Sequence, residues 1–166
     1  MTAPFAVTGF EISLFLHITA AIVGFGSTFA EALLFPVAQR MGQRYLPFVH
    51  QIQIAINRTL ATPALVIVLA TGIYQVSEAN YSFGDLWISA SFVIIIVLGG
   101  LLGAYFVPTD KRLGAMVERE LAAGGGGEVQ LSEDYQRAAR TEGMIGALAG
   151  LLVVVAVFLM VVKPGA

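Results

Sequence analysis

The sequence contains no cysteine and has few charged residues. Cysteine is absent from all 166 positions, which excludes disulfides, thiolate metal sites, iron–sulfur clusters and cysteine nucleophiles. Charged residues make up only 12% of the chain, against about 25% in soluble domains. The net charge of −2 provides no basic patch of the size that nucleic acids require, so we expect no nucleic-acid partner. With 57% hydrophobic residues, the chain is predicted to be a small integral membrane protein.

Four long segments contain almost no charged side chain. A helix needs about 20 apolar residues to cross a bilayer. Between Glu11 and Arg40 the only ionisable residues are His17 and Glu31. No Lys, Arg, Asp, Glu or His lies between Arg58 and Glu78, between Asp85 and Asp110, or between Glu142 and Lys163. The segments predict transmembrane helices at about 11–38, 55–77, 86–108 and 141–162. We therefore predict an all-α membrane protein, with residues 1–166 forming one antiparallel four-transmembrane-helix bundle.

The basic residues are concentrated in two connections, 39–58 and 109–140. They are Arg40, Arg44, Arg58, Lys111, Arg112, Arg119, Arg137 and Arg140. Outside these connections the only basic residue is Lys163. Because connections rich in Lys and Arg stay in the cytoplasm, we predict that both termini face outward. The expected location is an inner (plasma) membrane, and the lipid bilayer is the expected partner.

The predicted cytoplasmic connection at 109–140 has helical features of its own. Apolar residues recur at helical spacing after the third span, which predicts an amphipathic extension of that span. The glycine run 124–127 is expected to end this extension. Ser132, followed by Glu133 and Asp134, is typical of a helix N-cap. The fourth span is therefore also predicted to begin with a cytoplasmic extension.

Small and polar residues share one side of the first predicted helix. They are Ser13, His17, Ala20, Ala21, Gly24, Thr28 and Glu31. Close helix packing in membranes favours small residues, and the pairs Gly99/Gly103 and Gly146/Gly150 have the matching spacing. These faces are expected to pack within the bundle or in a homo-oligomer. A groove of small residues around Gly24 also leaves room for a flat cofactor.

His17 is the strongest candidate for a ligand-binding residue. Ionisable side chains inside a membrane are costly and indicate function, and a neutral imidazole in a helical bundle can ligate haem iron. The alternative is a structural histidine that is hydrogen-bonded to Ser89, Ser91 or Gln75, which lie at a similar depth.

The second axial ligand of such a haem has three candidate sources. The position is open, is supplied by a neighbouring protomer, or is taken by Met160 near the same end of the bundle. Met160 is alternatively a core-filling residue. His50 lies near the opposite membrane surface, too far from His17 to bind the same iron.

Glu31 and Arg58 have both a structural and a functional interpretation. Glu31 lies about 21 Å from His17 along the helix, and it is expected either to pair with Arg40, Arg58 or Arg140 or to act as a proton relay. Arg58 is expected to extend toward lipid phosphates or to bind a propionate or phosphate within the bundle. Glu142 is expected to form a minor surface pair with Arg140.

Several short motifs resemble those of a known bacterial family. They are Leu16-His17, Thr62-Pro63-Ala64, Thr71-Gly72, Lys111-Arg112-Leu113 and the ending Leu159-Met160-Val161-Val162-Lys163-Pro164. Their order and spacing are similar to those of motifs in a family of short four-span proteins, which are described only as predicted integral membrane proteins of unknown function. The resemblance covers nearly the whole chain and implies a bacterial plasma-membrane protein.

That family is in turn distantly similar to HemJ-type protoporphyrinogen oxidases and CopD-type membrane domains. The shared features are a first-span Leu-His and an arginine upstream of Thr-Pro-Ala. The resemblance implies a haem b near His17, with Arg58 near the porphyrin. Where the HemJ pattern has a lysine after the tryptophan of span three, this chain has Ser91. The resemblance therefore implies haem binding more directly than it implies porphyrinogen oxidation.

Three functions from different classes follow from these features. The first is haem b binding through His17 for redox chemistry or haem handling, with His17, Gly24, Arg58 and Met160 as cofactor-binding residues. The second is a non-enzymatic membrane subunit or scaffold that assembles through small-residue helix faces. The third is a proton-coupled small transporter that uses Glu31. Outside the haem hypothesis no cofactor is expected, and the sequence names no catalytic residue or protein partner.

Overall fold

The computed structural model describes residues 7–124 and 129–165. These residues form four long helices: α1 (Gly9–Met41), α2 (Gln43–Glu78), α3 (Leu86–Ala123) and α4 (Glu133–Val162). Each of the four helices is long and apolar enough to cross a membrane, and no strand occurs in the described ranges. The predicted all-α fold with four spans is therefore confirmed.

The first helix begins with a reciprocal cap. The Thr8 hydroxyl accepts a hydrogen bond from the Glu11 backbone N–H at 3.2 Å, and the Glu11 carboxylate accepts one from the Thr8 backbone N–H at 2.8 Å. This capping box satisfies donors that would otherwise lack a partner at the helix N-terminus. α1 ends at Met41, and Gly42 then adopts a φ of 121°, which side chains other than glycine rarely tolerate.

The second helix begins earlier than the sequence predicted. The predicted span at 55–77 lies within this helix, which begins at Gln43 with one 3₁₀ turn. Pro47 lies in the first turn of the following α-helical part, where it leaves no internal hydrogen bond unmade. Leu46 and Val49 are buried in one apolar cluster with α3 residues. Packing against α3 thus stabilises a segment that hydropathy alone assigned to a connection.

The helical extensions of the third and fourth spans are confirmed. α3 continues to Ala123 and stops at Gly124, and residues 125–127 of the predicted helix-breaking run lie outside the described residues. α4 begins at Glu133, and the Ser132 hydroxyl accepts a hydrogen bond from the Tyr135 backbone N–H at 3.3 Å. Ser132 is therefore the N-cap that the sequence predicted.

Helices that follow one another in sequence are also neighbours in space. α1 packs on α2, α2 on α3, α3 on α4, and α4 makes a looser contact back to α1. We call the end with residues 79–85 and Val162 the terminal end. The opposite end, with Gly42 and residues 124–132, is the loop end. This ring of antiparallel helices positions the two cavities described below.

Apolar side chains from several helices form a buried cluster at the loop end, which we call the loop-end core. Its buried members are Ala38, Leu46, Val49, Leu113, Val117, Leu131 and Tyr135. These residues come from all four helices and from Leu131, which lies two positions before α4. Because Leu113 and Val117 have no exposed surface, this core fixes how the helices meet at the loop end.

Only part of the predicted glycine packing occurs inside the bundle. A Cβ atom at Gly99 would lie 3.4 Å from Leu65, and one at Gly150 would lie 3.6 Å from Phe29. Gly103 and Gly146 have open space within 4 Å. A closer contact between two helices lies at Gly24, where a Cβ atom would lie 2.6 Å from Ala64 Cβ.

Two spans contain short π-helical segments. They are Asn57–Ala61 in α2 and Leu101–Phe106 in α3. Such segments are rare and occur frequently near functional sites. Here they lie between the terminal and loop ends of the two longest helices, and Asn57 lines a cavity described below.

Candidate functional site

The His17 side chain is held in a defined orientation by Thr71 on the neighbouring helix. His17 Nδ1 lies 2.8 Å from Thr71 Oγ1. The Thr71 hydroxyl itself donates to the backbone carbonyl of Ile67 at 2.6 Å. Because a hydroxyl has one proton, Thr71 must accept from His17 Nδ1–H. The tautomer with a free lone pair on Nε2 follows from this chain of hydrogen bonds.

The predicted structural partners of His17 were wrong. Ser91 Oγ donates to the Trp87 carbonyl at 2.6 Å, and Gln75 Nε2 donates to Ser13 Oγ at 3.4 Å. Among the described residues, His17 Nε2 has no hydrogen-bond partner. The partner is Thr71 because the Gly24–Ala64 contact sets the register of α1 against α2. The sequence gives the approximate depth of each residue in the membrane, and this depth does not determine the register.

His17 lines a large apolar cavity at the terminal end, which we call the terminal cavity. Its volume is about 940 Å³, and side chains of α1, α2, α3 and α4 surround it. Met160 lines the same cavity, as its position near the end of span four suggested. The His17 ring lies beside Gly72, where an added Cβ atom would lie 3.6 Å from His17 Cε1. The cavity is of a size that holds a small-molecule cofactor.

One basic side chain lies at the edge of the terminal cavity. Lys163 Nζ donates to the Tyr81 hydroxyl at 3.0 Å and lies 5.2 Å from the centre of the Trp87 ring. These contacts hold an ammonium group beside a mostly apolar lining. The terminal cavity therefore combines one free imidazole nitrogen, one thioether and one cation.

Two other residues predicted to bind a cofactor lie elsewhere. Gly24 is buried at the contact between α1 and α2 and lines a different cavity, closer to the loop end. Arg58 is exposed and lines neither cavity. Of the four predicted cofactor-binding residues, the structure brings together His17 and Met160.

A second polar site lies at the loop end and centres on His50. This side chain is 1% exposed, and its Nδ1 lies 2.9 Å from Asp110 Oδ1. Asp110 is itself only 2% exposed. On the other side of the ring, His50 Nε2 lies 3.1 Å from the hydroxyl of Tyr135, which belongs to α4. Both ring nitrogens of a fully buried histidine are thus held by polar groups of other helices.

Two further carboxylates lie next to the His50–Asp110 pair. Glu142 places a carboxylate oxygen within 4.8 Å of the potential ligand atoms of His50 and Asp110. Glu31 lines the same cavity, of about 480 Å³, as Asp110 and Glu142. We call this cavity the loop-end cavity. The arrangement collects one ionisable side chain from each of the four helices.

The predicted ion pairs of the two glutamates were wrong. Among the described residues, neither Glu31 nor Glu142 forms a salt bridge. Arg40, Arg58 and Arg140 are all exposed. Long basic side chains near helix ends extend into water, and residues two positions apart on a helix do not face each other. Glu31 Oε1 and Glu142 Oε1 are therefore buried without a partner.

Sequence reasoning missed the role of His50 and Asp110. The signal that was available is the spacing of His50, Gln53 and Asn57 on α2, three and four residues apart, which places polar groups on one helix face. Gln53 and Asn57 line the loop-end cavity. The partner Asp110 is 60 residues away in sequence, so only the packing of α2 on α3 brings it to His50.

The two cavities adjoin but are chemically distinct. The same apolar side chains contribute to both linings, namely Phe25, Phe29, Val68, Val153 and Val154. The terminal cavity contains the free nitrogen of His17, whereas the loop-end cavity contains carboxylates and amides. Each site can therefore be altered without touching the polar groups of the other.

The four apolar helices and their internal ionisable residues define an integral membrane protein built as a helical bundle. The chain belongs to the family described as predicted integral membrane protein (DUF2269), whose family model matches residues 11–164. The predicted membership of a four-span family of unknown function is thus confirmed. A search of curated proteins and a search of solved structures gave no match.

Proposed function

We propose that this protein binds haem b in the terminal cavity through His17 and serves redox chemistry or haem handling in a bacterial plasma membrane. The observation that carries the proposal is the hydrogen-bond chain from His17 Nδ1–H to Thr71 and on to the Ile67 carbonyl. A histidine that ligates a metal commonly donates its other ring N–H in this way. The chain leaves Nε2 unprotonated and directed at no other protein group.

The residues of the terminal cavity fit the chemistry of a haem. The lining is mostly aliphatic and aromatic, which suits the porphyrin faces. Met160 lies in the same cavity, and its thioether would help to hold the haem iron. The Lys163 ammonium would bind a propionate at the cavity edge. When bound, a haem supplies one-electron chemistry, and the protein orients it and sets its surroundings.

Orientation in the membrane forms part of the proposal. Eight of the nine basic residues lie in the ranges 39–58 and 109–140, toward the loop end, as in the cytoplasmic parts of other membrane proteins, and only Lys163 lies at the terminal end. The termini and the terminal cavity then face the outer side. A haem held by His17 would lie in the outer half of the membrane.

The test is a reduced-minus-oxidised absorption spectrum of the purified full chain after haem reconstitution. We expect a b-type α band in the wild-type protein and its loss in His17→Ala. Thr71→Val keeps the side-chain shape but removes the hydroxyl, so we expect haem affinity to fall by roughly 10- to 100-fold. Thr71→Ser keeps the hydroxyl and is the matched control, with affinity near that of the wild type.

Two results would contradict the haem proposal. The first is a wild-type protein that stays colourless after reconstitution although its helical content is intact. The second is an α band of equal intensity in His17→Ala. The first result would favour the assembly function, in which small-residue helix faces such as the open surface at Gly103 contact a second chain. The second result would show that haem binds through a residue other than His17.

A further inference from the structure

The loop-end cavity contains an arrangement of buried groups that helix packing alone does not require. Glu31, His50, Asp110 and Glu142 each come from a different helix. Removing a carboxylate from water costs several kcal/mol unless a positive charge or hydrogen bonds compensate it. Among the described residues, no lysine or arginine forms an ion pair with any of these three carboxylates.

The buried groups that lack a partner around this cavity are all hydrogen-bond acceptors. They are Glu31 Oε1, Glu142 Oε1 and Gln53 Oε1, each shielded from solvent and without a hydrogen bond to another protein group. All three residues line the loop-end cavity. A concentration of oxygen atoms without donors is the environment that a metal cation needs, because a cation interacts with several lone pairs at once.

The geometry of the central pair also fits a shared ligand position. His50 Nδ1 and Asp110 Oδ1 are 2.9 Å apart. Two ligand atoms that each lie about 2.1 Å from one metal, at right angles to each other, are separated by about 3.0 Å. The Glu142 carboxylate is close enough to complete a three-residue set. Small side-chain rotations would bring the three groups onto one ion.

Tyr135 completes the set from behind the imidazole ring. Its hydroxyl lies 3.1 Å from His50 Nε2, and the Tyr135 side chain is fully buried in the loop-end core. When Nδ1 ligates a metal, Nε2 carries the proton and donates it to Tyr135. A ligating histidine is usually oriented by such a hydrogen bond to its other nitrogen.

We propose that His50, Asp110 and Glu142 bind one divalent first-row transition-metal ion at the loop end of the bundle, with Glu31 as a fourth acidic group facing it. Mixed imidazole and carboxylate ligands suit Mn²⁺, Fe²⁺ and Zn²⁺, whereas Mg²⁺ and Ca²⁺ prefer sites that contain only oxygen ligands. Four-helix bundles with carboxylate and histidine side chains directed inward hold such ions in soluble proteins. This site is independent of His17.

An ion would reach this site from the aqueous side of the loop end. Asp110 is followed directly by Lys111 and Arg112, both exposed. Charged side chains are too costly for the hydrocarbon region, so Asp110 lies near the membrane boundary. The site is therefore within reach of water although its ligands are buried.

The experiment measures metal binding by the full chain in detergent, after the chain has been stripped of metal with a chelator. Mn²⁺ is titrated and the free ion is followed by electron paramagnetic resonance, and Zn²⁺ then competes with it. We expect one ion per chain and a loss of affinity of roughly 10-fold or more in Asp110→Asn and Glu142→Gln. Glu118→Gln removes an exposed acid from the same helix as Asp110 and should leave the affinity unchanged.

A third variant of the His50 site separates loss of metal binding from loss of folding. Tyr135→Phe keeps the aromatic ring in the loop-end core and removes only the hydroxyl, so it should fold and still bind Mn²⁺ more weakly. All variants are compared in the His17→Ala background, where a failure of the haem proposal does not affect the result. The metal proposal is overturned if the His17→Ala chain with an intact loop-end site binds no Mn²⁺ or Zn²⁺. It is also overturned if Glu118→Gln weakens binding as much as the cluster variants do.

Discussion

At the scale of single residues, the contact between α1 and α2 depends on the absence of a side chain at Gly24. An added Cβ atom there would lie 2.6 Å from Ala64 Cβ and 3.9 Å from the Ala61 carbonyl oxygen. The first distance is shorter than two carbon atoms can approach without displacement. The two helices therefore touch at Gly24 and Ala64, and this contact sets the position of His17 opposite Thr71.

We predict that Gly24→Ala destabilises the bundle by about 1–3 kcal/mol, the usual range for overpacking a core position. Gly26 lies two residues further along the same helix and has open space within 4 Å. Gly26→Ala should therefore be neutral or slightly stabilising, because alanine favours the helix. Thermal unfolding in detergent, followed by circular dichroism, measures both variants. Equal melting temperatures for the two variants would contradict the close contact.

The sequence predicted some of the site residues and missed others for physical reasons. His17 and Glu31 are recognisable because an ionisable side chain within a long apolar segment is rare. His50 escaped because it lies before the apolar segment of α2, where polar residues are common. The partner of Glu31 was predicted from depth alone, and depth does not tell which arginines turn outward to water.

At the scale of helices, the connection between α3 and α4 is held by one serine. The Ser132 backbone N–H donates to Glu120 Oε2 at 2.8 Å, and the Ser132 hydroxyl donates to Glu120 Oε1. The same hydroxyl accepts from the Tyr135 backbone N–H. Ser132 thus caps α4 and also ties its start to the end of α3.

Ser132→Ala is predicted to lower the free energy of unfolding by about 1–2 kcal/mol, because it removes the N-cap hydroxyl together with the hydrogen bond that this hydroxyl donates to Glu120. Amide hydrogen exchange of the first turn of α4 should become faster, while the exchange of the membrane-embedded turns stays the same. Thr141→Ala is the control, because the Thr141 hydroxyl only donates to the Arg137 carbonyl one turn earlier in the same helix. Unchanged exchange in Ser132→Ala would show that the cap contributes nothing.

The helices themselves were more predictable than their ends. The apolar segments between charged residues fixed four spans, since a charge inside the membrane is strongly unfavourable. Ser132 was recognisable as a cap because its side chain acts on its own backbone neighbours. The start of α2 was not recognisable, because Leu46 and Val49 pack on Leu113 and Val117, more than 60 residues away in sequence.

At the scale of the whole molecule, the burial of apolar side chains is uneven along the bundle. In the most apolar stretch of each helix, between 17% and 22% of the residues are buried inside the protein. The loop-end core, by contrast, contains Leu113 and Val117 with no exposed surface. At about 1.5 Å per residue, the 38 residues of α3 span about 57 Å, well beyond a hydrocarbon layer of about 30 Å. With the apolar segment 86–108 of α3 in the hydrocarbon layer, the loop-end core would lie largely outside the lipid.

Leu113→Ala is predicted to lower the free energy of unfolding by about 2–5 kcal/mol, as expected for a leucine in a closed core. Leu33→Ala is the matched control, because Leu33 is 67% exposed and would face lipid. Its loss should change stability by much less. Urea titrations followed by circular dichroism compare the two variants with the wild type. A larger effect of Leu33→Ala would contradict the packing described above.

The position of the loop-end core has a consequence for how the protein responds to temperature. Apolar surface that leaves water upon folding gives a large heat-capacity change, and the stabilisation it provides weakens on cooling. Contacts between helices inside lipid lack this driving force, because the surrounding chains are as apolar as the helices. One end of the bundle is thus sensitive to cold and the other is not. In a chilled cell, the loop end would loosen first while the helices stay in the membrane.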